Sequence, residues 1–427
     1  MIGKAKKPTL LLVVLLSVAA FIFSGFGIAQ TIELTPTEQL GEFLYFDENL
    51  SEPSGQSCAS CHLPEAGFAD PDRGLPVSEG VISGLFGGRN SPSSAYAMYA
   101  PIFYFDSVEG LWIGGQFWDG RATGEVLGDP LADQALGPFL NPVEMANASK
   151  TQVIADVLHP DSAYRDLFIQ ECGPVDLTDE DEVAAAYDCV ALSIAAFERT
   201  ALFGQFSSKY DAYLEICLDM GGMPDDCAQG IGKVAKKAGK IFSKKEWRGM
   251  QLFMGENNND GIMDKNEGAM CAACHVADWT EDPGNVVVPT WAPDGWVPPV
   301  FTDFTFDNLG VPQNIEFPLD PTALPDLGLG AIVEDPAENG KFKVMSLRNI
   351  QQTKPYAHNG FFKNLKDIVH FYNTRDVPGA LKKGEDWPEP EYQDTINMDE
   401  LGNLGLSDKD EDALVKFMKT LSDGWRP

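Results

Sequence analysis

The stretch Cys58-Ala59-Ser60-Cys61-His62 and its counterpart Cys271-Ala272-Ala273-Cys274-His275 determine what this chain must fold around. In a Cys-x-x-Cys-His pentapeptide, the two thiols can add across the two vinyl groups of a porphyrin. The adjacent histidine can then bind the iron as its proximal ligand. The alternative for each pentapeptide is a redox or zinc-binding Cys-x-x-Cys that happens to precede a histidine. Because the motif occurs twice, we expect two covalently attached c-type haems, with His62 and His275 as proximal iron ligands.

The spacing of the two motifs predicts two domains. About 210 residues separate them, and the 427 residues of the chain are enough for two units that each enclose a cofactor. We expect an N-terminal haem domain over residues 30–232 and a C-terminal haem domain over residues 233–427. The first domain closes with a predicted helix from Asp181 to Leu202, in which apolar residues recur at near-helical spacing.

The pattern along the chain favours helices and loops over sheet. Between the second motif and Lys341 lies a long stretch rich in Pro, Gly and Asp, which is typical of ordered loop around a cofactor. The chain ends in a predicted helix with Ser407 as its N-cap and an apolar face. No region has a convincing strand period. The predicted fold is therefore mainly α, with two cytochrome c-like haem domains and long ordered loops.

The first 29 residues have the organisation of a secretory signal peptide. Three lysines precede an apolar stretch from Leu10 to Phe23, and small residues follow up to Ala29. Export agrees with haem attachment, which takes place outside the cytoplasm in cytochromes c. The alternative is an uncleaved membrane anchor, since the stretch is marginally long enough to span a bilayer. We expect a periplasmic protein that contacts the membrane only if this segment is retained.

The chain is strongly acidic, with 31 basic residues, 64 acidic residues and a formal net charge of −33. Loss of residues 1–29 would remove Lys4, Lys6 and Lys7 but no acidic residue, leaving 28 basic residues and a net charge of −36. An excess of this size repels polyanions, so nucleic acid is not an expected partner. It favours a small basic redox protein such as a cytochrome c.

Four cysteines remain after the two motifs are assigned. Their order suggests two local pairs, Cys172 with Cys189 and Cys217 with Cys227. In an oxidising compartment we interpret these as structural disulfides, with free buried thiols as the alternative.

Further short strings are spread along the chain outside the two haem motifs. They are Leu40-Gly41, Phe46-Asp47, Leu50-Ser51, Gln116-Phe117-Trp118-Asp119-Gly120-Arg121, Asn141-Pro142-Val143-Glu144-Met145, Asn308-Leu309-Gly310-Val311-Pro312, Gly340-Lys341-Phe342-Lys343-Val344, Ser346-Leu347-Arg348-Asn349 and Pro355-Tyr356-Ala357-His358-Asn359-Gly360. In combination they resemble the bacterial diheme cytochrome c peroxidase family, which also contains the MauG-type enzymes. The resemblance covers nearly all of the chain after residue 30.

The resemblance implies that the N-terminal haem meets hydrogen peroxide, whereas the C-terminal haem stores and passes electrons. Peroxide cleavage at iron needs an open coordination site, a base for the first proton and an acid for the departing oxygen. Glu144 and Gln134 match the pair of distal residues in this family. Without the flanking motif, Glu144 would be interpreted as a surface carboxylate.

The resemblance also implies roles for four residues near the haem edges. Trp118 matches a tryptophan between the two haems, where an indole can relay an electron; the alternative is a core tryptophan without a redox role. Arg121 and Arg348 are expected to pair with haem propionates, since guanidinium binds carboxylate in a bidentate manner. His358 is expected to support the propionates of the second haem.

The chain departs from the peroxidase pattern in the ligands of both irons. It has no histidine between His62 and His159, so the first haem should be five-coordinate at rest unless Met98 or another weak ligand binds. At the second iron, alignment places Tyr372 where the peroxidase branch has methionine and the MauG branch has tyrosine. The alternatives are His370, which would point to nearly the opposite helix face, or an open site.

The resemblance further implies a calcium ion held by Asn90, Thr353 and Pro355, because hard oxygen ligands suit that ion. A second loop has the spacing of an EF-hand, with Gly261 at its sixth position. Its expected ligands are Glu256, Asn258, Asp260 and Glu267. The alternative for this loop is an acidic surface turn.

The leading hypothesis is a periplasmic diheme peroxidase that reduces hydrogen peroxide with electrons delivered by a redox partner through the second haem. The first alternative is a MauG-like enzyme that oxidatively modifies residues of a partner protein, reacting with peroxide from the diferric state. The second alternative is a diheme electron carrier without catalysis. A homodimer is compatible with the resemblance, although no sequence feature requires one.

Overall fold

The fold is mixed helical with few strands. A computed structural model describes residues 33–255, 268–315, 325–381 and 384–427. The signal segment of residues 1–29 and the EF-hand-like loop with Glu256, Asn258, Asp260 and Glu267 lie outside the described residues. Within the described ranges, no helix is both long and apolar enough to cross a membrane.

Thirteen α-helices are found in the described part of the chain. Their bounds are α1 Pro36–Phe46, α2 Cys58–Cys61, α3 Pro130–Ala135, α4 Lys150–Val157, α5 Arg165–Cys172, α6 Glu180–Glu198, α7 Lys209–Asp219, α8 Pro224–Gln229, α9 Gly232–Ala238, α10 Lys244–Met254, α11 Leu329–Val333, α12 Leu365–Thr374 and α13 Asp408–Met418.

The strands are short and form three separate antiparallel pairs. They are β1 Tyr104–Asp106 with β2 Leu111–Ile113, β3 Thr280–Glu281 with β4 Trp296–Val297, and β5 Phe306–Asp307 with β6 Phe342–Lys343. The described residues of the segment between the second haem motif and Lys341 are thus mainly loop, as the Pro, Gly and Asp content predicts. Residues Thr35–Pro427 form one compact unit.

Side-chain caps fix where the longer helices begin. At α10, the Ser243 hydroxyl accepts a hydrogen bond from the Glu246 N–H, and the Glu246 side chain accepts one from the Ser243 N–H. The same reciprocal arrangement, with Thr35 and Glu38, begins α1. These bonds satisfy N–H groups that have no partner within the helix. Ser407 caps α13 as predicted.

Two pairs of helices cross in the same way, one beside each haem motif. In α1, a Cβ on Gly41 would lie 1.9 Å from the carbonyl oxygen of Ser193 and 2.8 Å from Cβ of Phe197 in α6. In α10, a Cβ on Gly249 would lie 2.0 Å from the Ala413 carbonyl oxygen and 2.8 Å from Cβ of Phe417 in α13. Each pair thus packs a glycine against a carbonyl and, four residues later, a phenylalanine.

Both predicted disulfides are present. Cys172 at the end of α5 joins Cys189 of α6, and Cys217 of α7 joins Cys227 of α8. The four cysteines of the haem motifs carry free thiols. The predicted helix from Asp181 to Leu202 is observed as α6, which ends earlier because the chain turns at Arg199 and Thr200.

Candidate functional site

Each Cys-x-x-Cys-His motif lines a large cavity. The first cavity, of about 880 Å³, is bounded by Cys58, Cys61 and His62 together with residues of α3, α6 and the loops around Trp118 and Glu144. Cys58–Cys61 forms the single turn α2, and the N–H of His62 donates to the Cys58 carbonyl at 2.9 Å. This turn brings the two thiols and the imidazole to one wall.

The imidazole of His62 is oriented by a backbone contact. Its Nδ1 lies 3.3 Å from the carbonyl oxygen of Phe68, so the tautomer with hydrogen on Nδ1 leaves Nε2 for a metal. Burial lowers the pKa of His62, which favours the neutral imidazole that a metal requires. The Tyr45 hydroxyl also donates to the carbonyl of His62 at 2.8 Å.

The second cavity, of about 260 Å³, is built in the same way. Cys271, Cys274 and His275 line it, and His275 Nδ1 lies 3.1 Å from the carbonyl oxygen of Phe301. Burial lowers the pKa of His275 to about 4. In each cavity two cysteines that form no disulfide and one buried imidazole line the same space. These donor sets fit two c-type haems.

The predicted distal residues lie together in the first cavity. Glu144 and Gln134 line it with Arg121, and the Asn141 amide donates to Glu144 Oε1 at 2.7 Å. Burial raises the pKa of Glu144, while the positive charge of Arg121 and the bond from Asn141 oppose the shift. A carboxyl held this way can exchange a proton with a small molecule in the cavity.

A second buried carboxyl in the first cavity was missed by the sequence analysis. Glu198, the last residue of α6, is 5% exposed, and its Oε2 has no hydrogen-bond partner among the described residues. Burial raises its pKa to about 8. The available signal was an acidic residue four positions after Ile194, on the apolar face of a predicted helix.

Several residues line both cavities and form a partition between them. Trp118 belongs to this partition, and its Nε1 donates to the carbonyl oxygen of Asn90 at 2.8 Å. His358 lies in the partition too, with Nε2 3.2 Å from Glu391 and its ring stacked on Phe342 at 3.6 Å. The members that both cavities share include Asn90, Gln116, Phe117, Trp118, Asp326, His358 and Glu391.

Tyr372 and His370 lie on α12 but face different surroundings. Tyr372 lines the second cavity with the Cys271 and Cys274 thiols, and burial raises its pKa above its ordinary value. His370 does not line either cavity; its Nδ1 lies 2.8 Å from Glu411 and its Nε2 lies 3.0 Å from the carbonyl of Ala380. Both of its ring nitrogens are thus already engaged.

The two arginines expected at propionates are both held by aspartates. The Arg348 guanidinium is fully buried, donates to both carboxylate oxygens of Asp211 at 2.8 Å and donates to the Pro299 carbonyl. Arg121 binds Asp119 at 3.0 Å and stacks over the Phe117 ring. Arg348 lines the second cavity and Arg121 the first.

The weak-ligand alternative at the first iron finds no support in the position of Met98. This side chain is buried against Gly204 and does not line either cavity.

The residues expected to bind calcium lie on the wall of the second cavity. Asn90, Thr353 and Pro355 all line it, and Asn90 Nδ2 donates to the Pro76 carbonyl at 2.9 Å. That bond leaves the amide oxygen of Asn90 as the group available to a hard cation, which fits the expected ligand type. Among the described residues, no cluster of three His, Cys, Asp or Glu side chains is arranged to hold a metal ion.

Comparison with known proteins places the chain among diheme enzymes. The family model for di-haem cytochrome c peroxidase matches residues 35–216. The methylamine utilization protein MauG of Paracoccus denitrificans is 35% identical over 404 residues, which cover 90% of this chain and 88% of that protein. The cytochrome c551 peroxidase of Pseudomonas aeruginosa is 27% identical over 339 residues, covering 78% and 70% of the two chains.

A solved structure of a diheme enzyme is also similar to this chain. The diheme peroxidase BthA of Burkholderia thailandensis matches with a TM-score of 0.70 and 28% identity, covering 92% of this chain and 89% of that one. The similarity thus extends over both haem motifs. The chain belongs to the di-haem cytochrome c peroxidase family, which includes the MauG proteins.

Proposed function

We propose that the protein is a periplasmic peroxidase that reduces hydrogen peroxide with electrons delivered through the second haem by a small basic redox protein. The observation that carries this proposal is the asymmetry of the two cavities. Glu144 and Gln134 line the cavity of the first motif, whereas Tyr372 lines the cavity of the second. The first cavity therefore offers groups for proton transfer, and the second offers an oxygen ligand.

The haem in the first cavity would supply the redox centre at which the peroxide O–O bond is cleaved. Glu144 accepts the first proton of peroxide and returns it to the departing oxygen, while Gln134 orients the substrate by hydrogen bonds. Asn141 holds the Glu144 carboxyl in place through its 2.7 Å bond.

Trp118 is proposed as the electron relay, because its indole lies in the partition and is in contact with both cavities. The bond from its Nε1 to Asn90 fixes the ring orientation. Asn90, which accepts this hydrogen bond from Trp118, is also one of the three proposed calcium ligands, together with Thr353 and Pro355. Calcium there would hold the partition together.

We also propose that the chain consists of two haem units, which the sequence predicts over residues 30–232 and 233–427. The repeated helix crossing supports this division, since α1 with α6 and α10 with α13 pack through the same glycine contact beside successive motifs. The core beside the second motif also includes Tyr210, Leu214 and Cys227 of α7 and α8, which precede the predicted boundary.

The proposed function is tested in two steps. Hydrogen peroxide is first added to the diferric holoprotein, and the oxidised protein is then reduced with a ferrous cytochrome c. A high-spin ferric signal that peroxide consumes within one turnover, and steady oxidation of the cytochrome, are expected. If both haems are low-spin and never respond to peroxide, with or without prior reduction, both enzymatic functions are excluded. The protein would then be a diheme electron carrier without catalysis.

The ligand proposal at the second haem is tested by Tyr372→Phe. Loss of the phenol oxygen should remove the tyrosinate-to-iron bands from the resonance Raman spectrum and raise the potential of that haem, because an anionic oxygen favours ferric iron. His370→Gln is the matched control on the same helix and should leave the Raman bands unchanged. Persistence of the bands in Tyr372→Phe would contradict the assignment.

The second candidate function is oxidative modification of a partner protein. The 35% identity to MauG of Paracoccus denitrificans and the position of Tyr372 favour it. Rapid steady oxidation of cytochrome c in the presence of peroxide would count against an obligatory protein substrate. Reaction with peroxide but no steady oxidation of cytochrome c would favour a protein substrate.

A further inference from the structure

Glu198 is a buried carboxyl group that the proposed mechanism does not yet use. It is 5% exposed, lines the first cavity and leaves Oε2 without a hydrogen-bond partner among the described residues. A buried carboxylate without a partner is costly, so such a group either takes up a proton or binds something in the adjoining space.

The two residues after Glu198 have the same property. Arg199 Nε and Thr200 Oγ1 are also buried without a partner. Buried polar atoms are normally satisfied, and internal water is the usual partner where protein groups are missing. Unsatisfied buried atoms on three successive residues therefore point to internal water beside Glu198, which itself lines the first cavity.

The charges around Glu198 favour its protonated form. Arg199 is paired with Asp129 through two bonds of 2.6 and 2.8 Å, so its positive charge is largely compensated. The other titratable groups that interact with Glu198 are Tyr45 of α1 and Cys58 of the haem motif. Burial is the main cause that raises the pKa of Glu198 to about 8, with Arg199 opposing it and Asp129 adding to it.

Glu144 has a different environment in the same cavity. Burial raises the pKa of Glu144 as well, but the positive charge of Arg121 and the hydrogen bond from Asn141 oppose that shift and favour the ionised form. Two carboxyl groups whose surroundings separate their proton affinities are the usual basis for distinct acid and base roles.

Reduction of one hydrogen peroxide to two waters consumes two electrons and two protons. Cleavage of the O–O bond with Glu144 moves one proton from one oxygen to the other and leaves none behind. The two protons of the reductive steps must therefore come from elsewhere, while the two electrons come from the redox partner.

We propose that Glu198 supplies one of these protons to the first cavity through internal water. Its O–H bond breaks, the proton passes along the water to an oxygen derived from peroxide, and water leaves. The carboxylate then takes a new proton from solvent through internal water beside it. This inference rests on the proposed peroxide reduction and adds the source of a proton to it.

The experiment compares the holoprotein with Glu198→Gln and with Glu180→Gln, an exposed glutamate on the same helix. Infrared spectra of protein labelled with carbon-13 glutamate should show a protonated carboxyl band that titrates near pH 8 in the wild type. The band should be absent from Glu198→Gln and retained in Glu180→Gln. This measurement does not depend on activity.

Stopped-flow mixing measures two steps separately: the oxidation of the diferric protein by peroxide, and its return to the diferric state with electrons from cytochrome c. With Glu198→Gln at pH 7, the reaction of the diferric protein with peroxide should change by less than about twofold. The return to the diferric state after addition of ferrous cytochrome c should slow by roughly tenfold or more, as for loss of a positioned acid. In the wild type, this return should slow as the pH rises above 8, and in the variant it should not.

Absence of the infrared band, or a variant whose reductive step matches the wild type, would overturn the inference while peroxide reduction stood. A wild-type protein that shows the band but never reacts with peroxide would overturn the proposed function and the inference together. If Glu198→Gln does not fold, the infrared titration and the pH profile of the wild-type reductive step decide the question.

Discussion

At the residue scale, the wall of the second cavity contains a buried charge that the fold must accommodate. Lys343 of β6 is buried, and its Nζ donates to the Gly115 carbonyl at 2.6 Å. Burial lowers the pKa of Lys343 from 10.5 to about 7, while the negative charge of Asp119 opposes the shift. The protonated, charged form of Lys343 is therefore disfavoured in the wall of the second cavity.

The lowered pKa of Lys343 predicts how stability depends on pH. Between pH 7 and 10.5 the unfolded chain binds more protons at this lysine than the folded chain does, so this residue makes the protein more stable as the pH rises. In Lys343→Met this dependence is lost, so the melting temperature of the wild type should rise relative to that of the variant from pH 7 to 9.

The control for this effect is Lys416→Met, which removes an exposed lysine of α13. Its melting temperature should follow the wild type at every pH. Parallel curves for the wild type and Lys343→Met would show that Lys343 keeps an ordinary pKa in the folded protein. Calorimetry at constant ionic strength makes the comparison.

The sequence identified site residues where a motif fixes local geometry and missed those that depend on tertiary packing. The Cys-x-x-Cys-His turns could be predicted because five consecutive residues carry the whole arrangement. Glu198 was missed because its place on the apolar face of α6 indicates burial, whereas the cavity that this face meets is formed only by tertiary packing. Likewise, the pairing of Arg348 with Asp211 joins positions 137 residues apart, and no local pattern predicts it.

At the scale of elements, the two helix crossings depend on glycine. Gly249 lets α10 approach the backbone of α13 so closely that no side chain fits between them. The apolar face of α13 and its N-cap could be predicted from periodicity, whereas the crossing could not, because it depends on which helix lies opposite. The short strand pairs were not predicted either, because a strand of two or three residues is too short to show an alternation of apolar and polar residues.

Gly249→Ala should destabilise the protein in spite of the better helix propensity of alanine. The new Cβ would lie 2.0 Å from the Ala413 carbonyl oxygen, so the helices must separate, at a cost of about 1–3 kcal/mol or more. The gain in helix propensity is at most about 1 kcal/mol. Chemical denaturation of the holoprotein measures the net change.

Gly74→Ala is the control, because this residue is exposed, lines neither cavity, and a Cβ there would meet only the Asp72 side chain, at 3.2 Å. Its free energy of unfolding should stay within about 0.5 kcal/mol of the wild type. An unchanged midpoint in Gly249→Ala would mean that α10 and α13 are not packed as closely as described.

At the scale of the whole molecule, the acidic charge determines which partners approach quickly. The net charge of −33 should attract a basic cytochrome c at long range. We expect kcat/KM for such a donor to fall roughly tenfold as ionic strength rises from about 0.01 M to about 0.1 M, because the screening length shortens from about 30 Å to about 10 Å.

Hydroquinone, an uncharged reductant, provides the control, and its rate should be insensitive to salt over the same range. An acidic cytochrome should give the opposite trend, with rates that increase as salt screens the repulsion. A rate with the basic cytochrome that is independent of salt would show that the net charge does not guide the encounter.

The partition that contains Trp118, Asn90 and His358 has a practical consequence for spectroscopy. Because one set of side chains contacts both cofactor spaces, a substitution there perturbs two chromophores at once. A shift in an absorption band of such a variant therefore cannot be assigned to either haem by the position of the mutation. Assignment requires selective reduction of one iron, or a substitution such as Tyr372→Phe that touches a single cavity.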